Sequence, residues 1–175
     1  MFLYPLSRMT GGIFYEHAHR LFGALVGLTT IGLAIRLWRR DERGWVQRLA
    51  TIAVGLVVIQ GVLGGLRVTG GFTLSTSEAD MAPSIALAVT HGVLGQVFLG
   101  FVVALVVVTA TAWIEAPAAE PRASAGGDRT LQVSLIATLV VQLVLGAFQR
   151  HMAQGLIVHI SLAAVVVMIA VVAGA

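Results

Sequence analysis

The sequence predicts an all-α fold, a polytopic transmembrane helix bundle with five spans, and three observations carry that expectation. Hydrophobic residues make up 58% of the 175-residue chain and charged residues 11%, against about 45–50% and about 25% in soluble domains. Apolar runs of about 18 or more residues, long enough to cross a bilayer core as a helix, recur along the chain. Inside lipid a backbone amide has no water partner, so each such run is helical.

Helix A is expected over residues 16–38, helix B over 47–67, helix C over 84–113, helix D over 129–148 and helix E over 152–175. Helix C exceeds what a bilayer needs and is expected to tilt or protrude. The first twelve residues carry no basic stretch followed by an apolar core and do not read as a signal peptide. Residues 1–113 form a first group of helices, 114–129 an Ala-, Pro- and Gly-rich linker, and 130–175 the start of a second group.

Composition also excludes several classes of function. With no cysteine, disulfides, thiolate metal sites, Cys nucleophiles and thioether-linked haem are all ruled out. The net charge of +3 comes from eleven arginines and no lysine. They sit in short loops and at span ends, so they orient the chain in the bilayer rather than bind nucleic acid. Arg39, Arg40 and Arg43, flanked by Arg36 and Arg48, place the A–B loop in the cytoplasm, and Arg122 and Arg129 put the C–D loop on the same side. The B–C loop, with Glu78 and Asp80, then faces outward together with the D–E turn.

A faint internal repeat accompanies this arrangement. Gln60-Gly-Val-Leu63-Gly64-Gly65, followed by Arg67, is similar to Gln142-Leu-Val-Leu145-Gly146-Ala147, followed by Arg150. Each copy closes an apolar helix on the outer side, and a histidine-bearing helix comes next. Duplication is common in membrane proteins that hold a ligand between two halves.

All five histidines fall in the outer half of the predicted membrane. His17 and His19 open helix A, His91 lies about two turns into helix C, and His151 and His159 lie at the start of helix E and about two turns into it. An ionisable side chain within a span is expensive and faces a partner in the bundle. Neutral imidazole is an axial ligand for haem iron, with its second nitrogen held by a hydrogen bond. A single imidazole such as His151 is adequately explained by bonding to backbone or hydroxyl groups. His19, His91 and His159, at matching depth on three separate spans, fit haem ligation better. Zinc would ask for carboxylate or thiolate partners, and only Glu16 is near.

Glu16, His19 and Arg20 share one helical stripe, because residues three and four apart are neighbours on a helix. The pair Glu16–Arg20 serves either as an interfacial helix-end ion pair or as a carboxylate poised for acid–base work with a cation beside it. Arg67 and Arg150 either snorkel to headgroups or pair with haem propionates, since guanidinium recognises planar carboxylates. Gly61, Gly64, Gly65, Gly92, Gly95 and Gly100 allow close approach to a neighbouring helix or to a flat ligand.

These residues together resemble the haem A synthase family, membrane enzymes that oxidise haem O. Gly12-Ile-Phe-Tyr-Glu16-His17-Ala18-His19-Arg20 resembles the Glu-x-x-His-Arg signature of that family's second span. The stretch from Gln60 through Arg67 is similar to the end of its third span, Val89-Thr-His91 to its fourth, and Gln142 to His159 to its fifth and sixth. The resemblance implies two four-span halves, one for substrate haem O and one for a haem b cofactor, with the haem O C8 methyl oxidised to formyl to give haem A. It makes Glu16 the catalytic carboxylate, His19 and His91 ligands in the first half, and His159 a ligand of the cofactor haem. Arg20 and Arg67 complete the expected haem-binding set, whereas His17 and His151 match no ligand position.

The family's first span and last two spans have no counterpart here, which reads as a segment of a longer protein or, second, as a shortened relative that completes its site by association. Partners implied are haem O and haem A, haem O synthase, a terminal oxidase and a second copy of the chain. The location implied is the inner cell membrane, with the histidines on the non-cytoplasmic side. The competing expectation is a b-type membrane cytochrome or haem-handling subunit without hydroxylase activity, and a third is a haem-free membrane subunit or transporter half.

Overall fold

The computed structural model describes residues 11–69, 85–117 and 124–174. Six helices occur among them: α1 (Gly12–Arg40), α2 (Gly44–Thr69), α3 (Ile85–Thr109), α4 (Thr111–Ile114), α5 (Ala125–Met152) and α6 (Leu156–Gly174). All but the one-turn α4 contain a stretch long and apolar enough to cross a membrane, so the chain is a multi-pass membrane protein with five candidate spans. The B–C loop, Arg122 and the first ten residues lie outside the described residues.

The chain divides into two compact units, and the division falls within α2, between Val62 and Leu63. In the first unit, α1 and the start of α2 make a helical hairpin. Thr30, Ala34 and Leu37 are buried on α1 and Val46, Ala50 and Ala53 on α2. Both sets recur at three- and four-residue intervals, which gathers each into one stripe. Alanine dominates them because, between lipid-embedded helices, close backbone approach replaces the hydrophobic effect as the source of attraction. The Trp38 indole nitrogen donates across the hairpin to Gln47 O and Thr51 Oγ1, both at 3.3 Å.

The hairpin turn is fixed by Asp41. Its Oδ1 accepts from the Arg43 amide and from Arg43 Nε, each at 2.9 Å, while Oδ2 accepts from Arg43 Nη2 at 2.6 Å. Gln47 Nε2 donates to the Asp41 carbonyl at 2.8 Å, and the Arg43 guanidinium lies 5.4 Å from the Trp45 ring centre. The side-chain bonds from Arg43 hold the Asp41 carboxyl below its ordinary value, with burial opposing the shift and the Arg43 amide and charge reinforcing it.

In the second unit α5 packs against both α3 and α6. Two expectations are corrected here. Helix C is not continuous over 84–113, because α3 ends at Thr109 and Ala110 is extended (φ −69°, ψ 142°) before α4. The β-branched run Val106-Val107-Val108-Thr109 weakens the helix just before the break. His151 does not open the following helix. It lies in the last turn of α5 with Arg150, whose guanidinium complements the helix C-terminus. That helix ends at Ala153, which is left-handed (φ 53°, ψ 31°) and donates its amide to Gln149 O at 3.0 Å. Gly155 (φ 81°) completes the turn.

Asp41→Asn is expected to lower hairpin stability by about 0.5–1 kcal/mol at neutral pH, the range for a partly exposed ion pair. Because the folded carboxyl titrates low, this contribution is present above the ordinary carboxyl value near 4 and lost as pH falls through the folded one. Thermal unfolding of both proteins in detergent, at pH 7 and in acid, should show the difference at pH 7 vanish in acid.

Candidate functional site

The Glu16–His19–Arg20 stripe of α1 forms as three- and four-residue helical spacing requires. Arg20 donates through Nη2 to Glu16 Oε1 one turn away, and both side chains are about half exposed. His19 is exposed on the same stripe, whereas His17 is half-buried. Glu16, His19 and Arg20 therefore lie along one exposed stripe of α1. This cluster belongs to the first unit, and His91 and His159 belong to the second.

His91 is half-buried on α3, and its ring faces the main chain of α2. A β-carbon built on Gly64 would stand 3.4 Å from His91 Cε1. His159 is half-buried on α6 and meets α5 in the same way, with its Cε1 3.1 Å from a β-carbon built on Gly146. One turn before that glycine, Gln142 Nε2 donates to the His159 carbonyl at 3.0 Å. His159 Nδ1 and Gln142 Oε1 are both buried without a hydrogen-bond partner in the protein.

These contacts give the repeat a structural meaning. In both copies the glycine four residues after the glutamine is the surface on which the next histidine rests. The two imidazoles singled out as ligands on separate spans are thus held equivalently, each by one glycine of the preceding or adjacent helix. Sequence reasoning named the glycines but missed their contact partner, and it missed Gln142 as a side chain reaching across helices. The Gln-x-x-x-Gly pattern was the signal for both.

The remaining candidates are placed less closely. Arg150 is exposed and His151 half-buried at the end of α5. Arg67 lies in the last turn of α2, and its side chain is outside the described ones. Among the described residues, no three or more His, Asp or Glu side chains converge as a bare metal-ion site would require. One imidazole per helix suits haem iron, which takes axial ligands singly from either face. The buried, unpartnered Nδ1 of His159 and the glycine surfaces beside both rings, where a β-carbon would crowd His159 at Gly146 and touch His91 at Gly64, are the features by which these residues fit such a group.

The architecture defines a polytopic helical membrane protein that carries individually seated imidazoles within its spans. The chain belongs to the COX15-CtaA family, described as cytochrome oxidase assembly protein, whose sequence model matches residues 4–174. That family is haem A synthase, a haem-binding oxidoreductase, and membership implies function of that type. Neither the curated proteins nor the solved structures yield a match.

Gln142→Leu is expected to weaken the α5–α6 pair by about 0.5–1.5 kcal/mol, since interhelical side-chain bonds in membranes have about this worth. Equilibrium unfolding in mixed micelles measures it, and an unchanged midpoint would show that the bond to the His159 carbonyl contributes nothing.

Proposed function

We propose that this chain is a haem A synthase-type oxidoreductase acting on haem O, converting its C8 methyl to formyl. The observation that carries the reading is the equivalent seating of His91 and His159 in a chain whose family binds haem. His19 and His91 would hold the substrate haem O, and His159 would ligate a haem b cofactor. When bound, the cofactor would supply a one-electron redox centre.

The chain's own residues do the rest. Glu16 is the catalytic carboxylate: oxidation of the methyl carbon breaks C–H bonds and releases protons, and a carboxylate beside it accepts them. Arg20 fixes the direction of that carboxylate through their ion pair and offers positive charge next to the substrate. Arg67 recognises a propionate, and Arg150 reaches the headgroups. Residues 1–113 make the substrate half, 114–129 link it, and 130–175 open the cofactor half. The Arg-rich turn at 39–43 faces the cytoplasm, which puts Glu16 and the histidines on the outer side. Haem O synthase as donor, a terminal oxidase as receiver and a second copy of the chain are the proposed partners.

The Glu16–Arg20 pair also suits a helix end with no chemistry, which favours a b-type cytochrome as the second reading. Glu16→Ala in membranes supplied with haem O separates the two. The synthase loses about 100- to 10,000-fold in conversion to haem A, the usual worth of a general acid–base, while its Soret band persists. Unchanged conversion removes Glu16 from catalysis. Protein made with ample haem that shows no Soret band overturns both readings.

A further inference from the structure

The two glycine contacts are selective as well as equivalent. A β-carbon at Gly146 would stand 3.1 Å from His159 Cε1, 3.7 Å from Nε2 and 3.8 Å from Nδ1, and one at Gly64 would stand 3.4 Å from His91 Cε1 and 4.0 Å from Nδ1. In both cases the nearest ring atom is the carbon between the two nitrogens. Gly61 and Gly65, on the same helix as Gly64, would each direct a β-carbon into open space. Close approach is therefore confined to the position four residues after each glutamine.

A histidine ring turns freely about its second side-chain torsion, which has broad wells. A main-chain surface against Cε1 restricts that rotation, and unlike a flexible side chain it cannot retreat. At His159 the main chain is held as well, by Gln142 from the neighbouring helix and by its own amide bonding to Gly155 O at 2.9 Å. The ring and its backbone are thus fixed from α5 and from the turn, while Nδ1 stays buried without a protein partner. Such fixing would matter for a haem ligand, because a ring already held in place loses little freedom on binding.

We propose that Gly64 and Gly146 are positioning residues that set the ring rotation of His91 and His159, with Gln142 clamping the main chain at the second. The proposal rests on the reading of these histidines as haem ligands. It assigns the internal repeat a job: Gln-x-x-x-Gly is a seat for an imidazole carried by another helix.

The test uses the full chain loaded with haem b in detergent, comparing Gly146→Ala, Gly64→Ala, Gly61→Ala and His159→Ala by ferric EPR and haem dissociation, with helicity checked by circular dichroism. Gly146→Ala should shift the ferric EPR signature and weaken haem b retention by about tenfold, as overpacking does, while Gly64→Ala, whose β-carbon would stand at ordinary contact distance from His91, should move both less. Gly61→Ala should superimpose on the unsubstituted protein. If Gly146→Ala does not accumulate, Gln142→Leu gives the second readout, with a shift in the same spectral lines expected. Unchanged EPR and retention in Gly146→Ala, with the signature lost in His159→Ala, overturns the seat and leaves ligation standing. A signature that survives His159→Ala overturns the ligand reading and the seat together.

Discussion

A bilayer core offers no hydrogen-bond partner, and this constraint accounts for most of what the polar groups of these helices do. Thr30, Thr109 and Thr138 turn their hydroxyls back onto the carbonyl one turn earlier, at 2.7, 2.7 and 2.8 Å. Gln142 finds a carbonyl on the next helix instead. The fully charged bidentate pair, Asp41 with Arg43, is kept in a turn where water can reach it. Against that background a buried imidazole nitrogen without a protein partner is conspicuous, since leaving one so is costly.

Glycine supplies the second half of the arrangement. Between membrane helices small residues let backbones approach, and the α1–α2 hairpin uses alanine for that purpose. At Gly64 and Gly146 the space is taken by an imidazole edge rather than by another backbone. A residue that elsewhere only weakens a helix thereby becomes a shaped surface, and the weakness is tolerable because lipid keeps the backbone bonds closed.

The five spans were legible because apolar length and the absence of water leave one solution, so boundaries alone moved: residues 16–38 became Gly12–Arg40. The break at Ala110 was not legible, since the apolar run continues through it with no Gly or Pro to mark it. His151 was misplaced for a related reason. The helix stop falls on a left-handed Ala153, a residue with no turn signature, two positions before the glycine that carries one. In the candidate site, the Glu16–Arg20 pair followed directly from four-residue spacing. The rest of the site was only half visible. Repeat spacing marked the glycines, but which helix face meets which cannot be read from spacing, and Gln142 bonds a main-chain carbonyl that leaves no trace in residue identity.

The short turn from Ala153 to Gly155 has an effect reaching well beyond its own length. Because α5 and α6 are joined by so few residues, the angular phase of one helix dictates that of the other. Inserting a single residue in the first turn of α6, ahead of His159, would rotate the rest of that helix by about 100° relative to the turn, carrying the imidazole off its glycine and around to another neighbour. The turn is therefore a phase lock: it converts a count of residues into an orientation, and at Gly155 (φ 81°) even an added side chain would strain it.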